Sequence, residues 1–170
     1  MANINSTAVS NLIADPQVMS SARNVGGVMR VNCGSVAAAA GDLSAGDTIM
    51  LANIPANAAI VSIKIFNDDL DTGTTHTMHI GLYLVAEDGT VSIKDVDAYA
   101  SATTDMRGVV TVGTEVAFEA RNINLMGQRV FEDAGDASDL SANGFYTVGF
   151  ESQAAGDAAG DISWIITYVI

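Results

Sequence analysis

Hydrophobic and polar residues alternate along most of the chain after Gly26, with the period of two that is typical of β-strands. The alternation is clearest in three segments, which read AAIVSIKIF at 58–66, TMHIGLYLV at 77–85 and DISWIITYVI at 161–170. Short clusters of Gly, Asp, Asn and Ser separate such segments and mark turns. Short strands punctuated in this way predict an all-β fold, an antiparallel sandwich or barrel.

The closing segment is apolar on both faces of its predicted strand. Ile162, Trp164 and Ile166 share one face, and Ile165 and Val169 lie on the other. A strand of this kind is predicted to lie in the interior of a sheet or to be covered by a partner. Trp164, the single tryptophan of the chain, is therefore assigned to the core.

Alternation also assigns side chains to faces in two earlier strands. Val61, Ile63 and Ile65 share one face of the segment at 58–66, and Ser62, Lys64 and Phe66 share the other. The only cysteine, Cys33, lies within VMRVNC at 28–33, so the chain cannot form an intrachain disulfide. Its position in the alternation predicts a small buried hydrophobic residue and argues against a nucleophile.

Two segments carry helical spacing. DVDAYASAT at 95–103 begins with a capping aspartate and places Val96 and Tyr99 on one stripe, which predicts a short helix. NLMGQRVFEDAG at 124–135 predicts a second helix that ends at Gly135. The predicted fold is therefore an all-β antiparallel sandwich with one or two short helices.

Residues 1–25 lack strand alternation and are rich in Asn, Ser and Ala. Ser6 or Thr7 can cap a short helix that stops before Pro16. We interpret this segment as an N-terminal arm that becomes ordered by docking, with a frayed terminus as the alternative, and residues 26–170 as the sandwich domain. The candidate contact residues of the arm are Ile4, Val9, Leu12 and Ile13.

The charge balance excludes several partners. Twenty acidic and seven basic residues give a formal net charge of −13, and no two basic residues are adjacent. A surface that follows nucleic-acid phosphates needs clustered Lys and Arg, so direct nucleic-acid binding is not expected. No apolar run approaches the ~20 residues of a membrane helix. The N-terminus lacks the features of a secretory signal, which predicts synthesis and retention in a cytosol-like compartment.

One acidic stretch, FNDDLDTG at 66–73, raises the possibility of a calcium site. An EF-hand loop needs Gly at its sixth position and a carboxylate at its twelfth, but counting from Asn67 these positions hold Thr72 and Met78. The flanking strand patterns favour a turn, and a looser Ca²⁺ cage is the alternative. Its carboxylates would come from Asp68, Asp69 and Asp71.

The rest of the candidate chemistry is sparse. Side chains three apart on a strand point to opposite faces, so His76 and His79 are not expected to share a metal, and His79 is predicted to face solvent. The chain has no G-x-S-x-G motif, and Cys33 has no histidine in a supporting context. We therefore predict a non-enzymatic protein without a catalytic, metal or cofactor site.

The order of the segments resembles a known family. Residues 26–73 are followed by VDAYASAT at 96–103, GQRVFEDAG at 127–135 and GDISWIITYVI at 160–170. This order is similar to that of small virion structural proteins of tailed bacteriophages. In particular, it resembles the head decoration or cement proteins of phages that infect aquatic bacteria, including cyanobacteria.

The resemblance implies a jelly-roll-like sandwich on the outside of an icosahedral capsid. It also implies a homotrimer that clamps neighbouring major capsid protein subunits, made in the host cytoplasm and located in the virion. Two alternatives stay open: a head-fibre or tail-associated β-domain that recognises the host, and a carbohydrate- or calcium-binding β-module.

Overall fold

The computed structural model describes residues 5–19 and 26–170 and places eight strands in two four-stranded antiparallel sheets. The strands are β1 (Met29–Ala38), β2 (Thr48–Pro55), β3 (Ala59–Asn67), β4 (Thr77–Val85), β5 (Val91–Thr103), β6 (Val110–Glu115), β7 (Phe145–Ala154) and β8 (Gly160–Val169). The described helices are α1 (Thr7–Ile13), α2 (Val130–Asp133) and 3-10 turns at Ala40–Leu43 and Ile123–Leu125.

The strand order is nested. Sheet A has the order β1-β8-β3-β6, and sheet B has the order β2-β7-β4-β5. The first strand therefore pairs with the last, the second with the seventh, the third with the sixth and the fourth with the fifth, and successive pairs alternate between the sheets. This is the topology of a jelly roll. The prediction of an all-β antiparallel sandwich is confirmed, and so is the interior position of β8, which lies between β1 and β3.

The core lies between the two sheets and is filled by the inward-facing residues of the alternating strands. Trp164 belongs to it with 8% of its surface exposed, as predicted. The prediction that Val61 shares a face with Ile63 and Ile65 is wrong, because a bulge between Ile60 and Ser62 shifts the side-chain alternation of β3. Ile60 is fully buried instead, and Val61 is only half-buried.

The predicted helix at 95–103 is wrong, because this segment is part of β5. Leu82 pairs with Asp95 and Ile80 pairs with Ala100, so four residues of β5 stand opposite Gly81 alone. Such an insertion shifts the side-chain alternation of the strand. The resulting spacing of the apolar residues in β5 imitates the spacing of a helix.

The other helices are short. Ser6 caps α1 by accepting a hydrogen bond from the Val9 backbone N–H at 3.3 Å, as predicted. The predicted continuous helix at 124–135 is wrong, because only α2 and a preceding 3-10 turn form there. Gly135 follows α2 with a φ of 77°, the left-handed conformation that commonly ends helices. Within the described ranges, no helix is long and apolar enough to span a membrane.

Candidate interaction surface

The outer face of sheet A is apolar and open along β1 and the middle of β8, whereas Val169 at the end of β8 is buried. The register pairs Val31 with Thr167, Cys33 with Ile165 and Ser35 with Ser163, so these side chains share one face. The Ser163 hydroxyl donates a 3.0 Å hydrogen bond to the Ser35 hydroxyl, which confirms the common orientation. We call this surface the β1–β8 face; it comprises Met29, Val31, Cys33 and Ser35 of β1 and Ser163, Ile165 and Thr167 of β8.

The large apolar side chains of this face are exposed to an unusual degree. Met29 is 63% exposed, Val31 58% and Ile165 39%. The adjoining Val28 and Ile170 are also exposed, and their backbones exchange two hydrogen bonds that extend the ladder. Single exposed apolar residues are common, but neighbouring ones on an edge strand mark an interaction surface.

The predicted burial of Cys33 is wrong, because the thiol lies on the exposed side of β1. Trp164 of β8 fills the space beneath β1 and donates a 3.2 Å hydrogen bond from Nε1 to Asn32 Oδ1. A Cβ at Gly34 would lie 2.5 Å from Trp164 Cζ2, so only glycine fits there. Asn32 and Gly34 of β1 consequently face Trp164, and Val31 and Cys33 face outward.

The β1–β8 face also lacks the negative charge that dominates the chain. β1 contains no acidic residue and one basic residue, Arg30, while β8 contains only Asp161. Lys64 of β3 is exposed beside Ile165, which it pairs with in the register. A chain with a net charge of −13 repels its own copies, and this repulsion is weakest where acidic residues are missing.

The arm residues proposed as contacts are exposed where the structure describes them. Leu12 is 64% exposed, Ile13 65% and Val9 44%. A hydrogen bond within the segment stabilises the turn that follows α1, since Gln17 Nε2 donates to Leu12 O at 3.2 Å. Ile4, the fourth candidate, lies outside the described residues.

Sheet B presents the opposite situation, because its outer face is covered at β4. The inserted residues of β5 lie so close that a Cβ at Gly81 would overlap the carbonyl groups of Asp95 and Val96. The neighbouring Tyr83 is fully buried and packs beside Gly149. Burial raises the pKa of the Tyr83 hydroxyl, and the charge of Glu151 adds to this effect.

The prediction that His79 faces solvent is wrong. Its side chain is buried, and its Nδ1 accepts a 3.1 Å hydrogen bond from the backbone N–H of Ala102. Ala102 has a φ of 50°, a conformation that non-glycine residues rarely adopt. His79 therefore supports an irregular turn of β5, and its partner lies more than twenty residues away in sequence.

A buried polar cluster anchors the inserted part of β5 from the core side. The Tyr99 hydroxyl donates to Asp133 Oδ2 at 3.1 Å, and Arg121 Nη2 lies 3.1 Å from Asp133 Oδ1. Arg121 also donates to the carbonyls of Ile60, at 3.1 Å, and Leu125. Burial raises the pKa of Asp133 to about 7, although the Arg121 charge opposes this shift. Through these contacts the cluster joins β3, β5 and α2, while the buried Arg121 Nε has no hydrogen-bond partner among the described residues.

The acidic stretch connects β3 and β4, as the turn interpretation predicts. Asp71 accepts backbone hydrogen bonds from Gly73, Thr75 and His76, and the bond from His76 is the leading cause of its lowered pKa. Asp68 accepts one from the Asp161 N–H at 2.9 Å. These carboxylates organise the loop backbone. Within the described part of the chain, no three His, Cys, Asp or Glu side chains are placed to hold a metal ion.

His76 is fully buried at the start of β4, with Nε2 3.2 Å from Ser152 Oγ. Burial lowers its pKa, the nearby Asp71 carboxylate opposes this shift, and Arg107 adds to it. His76 and His79 have separate partners on either side of sheet B. They do not form a joint site.

The grooves of the surface are lined by residues of turns. One groove of about 650 Å³ lies beside β1 and β2 and includes Asp42 and Asp47. Asp42 accepts a 3.0 Å hydrogen bond from the Ala39 N–H, and Asp47 accepts one of the same length from the Ser44 N–H. Their carboxylates are occupied by the turn, so the open β1–β8 face is the stronger candidate for function.

Comparison with known proteins gives structural neighbours only. No protein-family model matches the chain, and no curated protein matches it. The chain is similar to a chain of the cyanophage Pam1 capsid asymmetric unit, with 19% identity, a TM-score of 0.55, and 100% of this chain and 99% of that chain covered. It is also similar to a chain of the capsid of Ralstonia phage GP4, with 24% identity, a TM-score of 0.60 and 84% of each chain covered. These likenesses show a shared fold.

Proposed function

We propose that this chain is a non-enzymatic structural protein of a tailed-phage virion. In this proposal it decorates and cements the outer surface of an icosahedral capsid as a homotrimer in contact with major capsid protein subunits. The single observation that carries the proposal is the exposed, uncharged β1–β8 face on an otherwise acidic chain. The fold shared with chains from two phage capsids supports the same setting.

The proposed mechanism is thermodynamic. A protein that binds only the assembled shell shifts the equilibrium towards that shell by mass action. Many weak contacts repeated over the capsid surface give a large total effect. The acidic remainder of the surface suits the outside of the shell, because it would be repelled by packaged nucleic acid.

The domain division belongs to this proposal as well. Residues 1–25 form the arm that contacts a neighbouring subunit, and residues 26–170 form the sandwich. The exposure of Leu12 and Ile13 supports this division. Ile4 is included as a proposed contact on sequence grounds alone.

Capsid binding and labelling test the proposal. We expect the purified chain to bind phage heads that lack it and to raise the temperature at which the heads release DNA. We expect an antibody against the chain to label the whole shell. Label confined to one vertex would overturn the proposal in favour of a tail-associated domain. Failure to bind heads would also overturn it.

A matched pair of substitutions locates the capsid- or neighbour-binding surface. Val31→Asp places a charge on the β1–β8 face, and Val112→Asp places the same charge on β6, where Val112 is 89% exposed. We expect Val31→Asp to weaken head binding and Val112→Asp to preserve it. Equal binding by the two variants would exclude the β1–β8 face from the interface.

A further inference from the structure

Two apolar surfaces have no cover among residues 5–19 and 26–170 of one copy, and they are chemically matched. One is the β1–β8 face, and the other is the described part of the arm, residues 5–19, with Val9, Leu12 and Ile13 exposed on α1. Val9, Leu12 and Ile13 are spaced so that they share one stripe of the helix. Both surfaces are exposed in the same copy, so the arm does not cover the face of its own chain.

We infer that the β1–β8 face of one copy binds the arm of a second copy. This inference rests on the proposed function for its setting and deepens it, because it names the surface that joins one copy to the next. The occupant is thus a stated segment of this same chain. The capsid protein would contact other parts of the oligomer.

Charge complementarity favours this occupant. The described arm contains one charged residue, Asp15, and the basic Lys64 of β3 pairs with Ile165 at the margin of the face. Most other surfaces of a second copy are acidic, since the chain carries twenty acidic residues. An almost neutral apolar segment can therefore approach the face without the repulsion that other parts of the copy would encounter.

The symmetry of such a contact is also compatible with a closed oligomer. An arm that leaves one copy and binds a different surface on the next forms a heterologous contact. Repeated around an axis, such contacts close into a ring in which every arm and every face is used once. A trimer is the smallest ring in which this head-to-tail arrangement differs from a simple exchange between two copies.

Cys33 provides a direct test, because it is the only cysteine of the chain and lies on the face. The full-length Leu12→Cys variant adds one thiol on the arm. A mixture of isotopically light and heavy copies is oxidised mildly, in concentrated solution and on phage heads. We expect a disulfide that joins position 12 of a light chain to position 33 of a heavy chain, identified by peptide mass spectrometry.

The control is Val112→Cys, which adds a thiol at an exposed position of β6 instead of on the arm and should give at least about tenfold less mixed disulfide. Only light–light and heavy–heavy products would mean that the arm binds its own chain and would overturn the inference. Mixed product no higher than that of Val112→Cys, both in solution and on heads, would overturn it too.

The Val31→Asp substitution, combined with Leu12→Cys, allows a second measurement of the same disulfide. A charge placed in an apolar contact is costly, so we expect Val31→Asp combined with Leu12→Cys to reduce the mixed disulfide about tenfold or more. An unchanged yield would contradict the inference. Mixed disulfide without binding to heads would overturn the decoration proposal alone, and head binding without mixed disulfide would overturn the arm contact alone.

Discussion

The outer faces of the two sheets are built in opposite ways. In sheet B, the inserted residues of β5 lie over Gly81 of β4, and Tyr83 and His79 are buried beside them. In sheet A, Val31 and Ile165 form an apolar surface that no described element covers, although β8 is a central strand. One sheet therefore receives its cover from the chain itself, and the other keeps an apolar face that no described element covers.

The difference shows that the burial of each outer face depends on a few residues of the adjacent strands. Three extra residues in β5 bring this strand over Gly81 of β4. On the other side, Trp164 fills the space beneath Asn32 and Gly34, and Val31 and Cys33 of β1 face outward. The β1–β8 face is therefore a consequence of how the core is packed beneath it.

The largest expected effect comes from removing the anchor of the sheet B cover. Arg121→Ala would leave Asp133 buried without its cation and would remove donors to Ile60 and Leu125. We expect the free energy of unfolding to fall by about 3–5 kcal/mol, as measured by urea denaturation. Arg30→Ala removes an equal charge from exposed β1 and should cost far less. Similar losses for both variants would contradict the anchoring role.

A smaller loss is expected when the cover is pushed away from β4. In Gly81→Ala, the new methyl group would overlap backbone carbonyls of β5, which cannot move aside as a flexible side chain could. We expect a loss of about 1–3 kcal/mol in the free energy of unfolding. Gly41→Ala, where a Cβ meets no atom within 4 Å, is the matched control. Equal melting temperatures for the two variants would contradict the close contact between Gly81 and the β5 backbone.

Acid should weaken the fold through His76, which is fully buried directly before β4. Burial lowers the pKa of His76 in the folded state, so the unfolded chain binds the proton more readily. The contribution of His76 is present above the ordinary pKa of about 6.5 and is lost as the pH falls below it. We expect His76→Gln to flatten the decline in stability between pH 7 and 5, and parallel curves would refute this assignment.

The smallest effect is expected on the open face. Val31→Thr replaces an exposed methyl group by a hydroxyl, so we expect the stability of the isolated chain to change by no more than about 0.5 kcal/mol. The same substitution at the fully buried Val148 should cost about 1–3 kcal/mol. Thermal unfolding of the two variants compares the inner and outer faces directly. Equal losses would mean that the β1–β8 face is already covered in the isolated chain.

Much of the fold could be predicted from the sequence because most strands are regular. Period-two alternation located β3, β4 and β8, and two apolar faces marked β8 as an interior strand. The alternation could not give the order of the strands, because pairings such as β1 with β8 join segments more than a hundred residues apart. The jelly-roll arrangement was expected from resemblance alone.

The errors share one physical cause, which is that covering groups come from distant segments. Cys33 follows the alternation of β1, but Trp164 of β8 decides which side of β1 is the inner one. His79 is buried by its contact with Ala102 of β5. The helical spacing at 95–103 reflects a bulge whose partner is Gly81. None of these contacts can be inferred from the local pattern.

The position of β8 also governs when the β1–β8 face can exist. During translation, β1 is made first and β8 is made after the other seven strands. Until β8 emerges from the ribosome and inserts between β1 and β3, half of the face is missing and sheet A is divided. Such long-range closure is slow compared with local folding. The β1–β8 face is therefore absent from the nascent chain and becomes complete only when the last strand has been inserted.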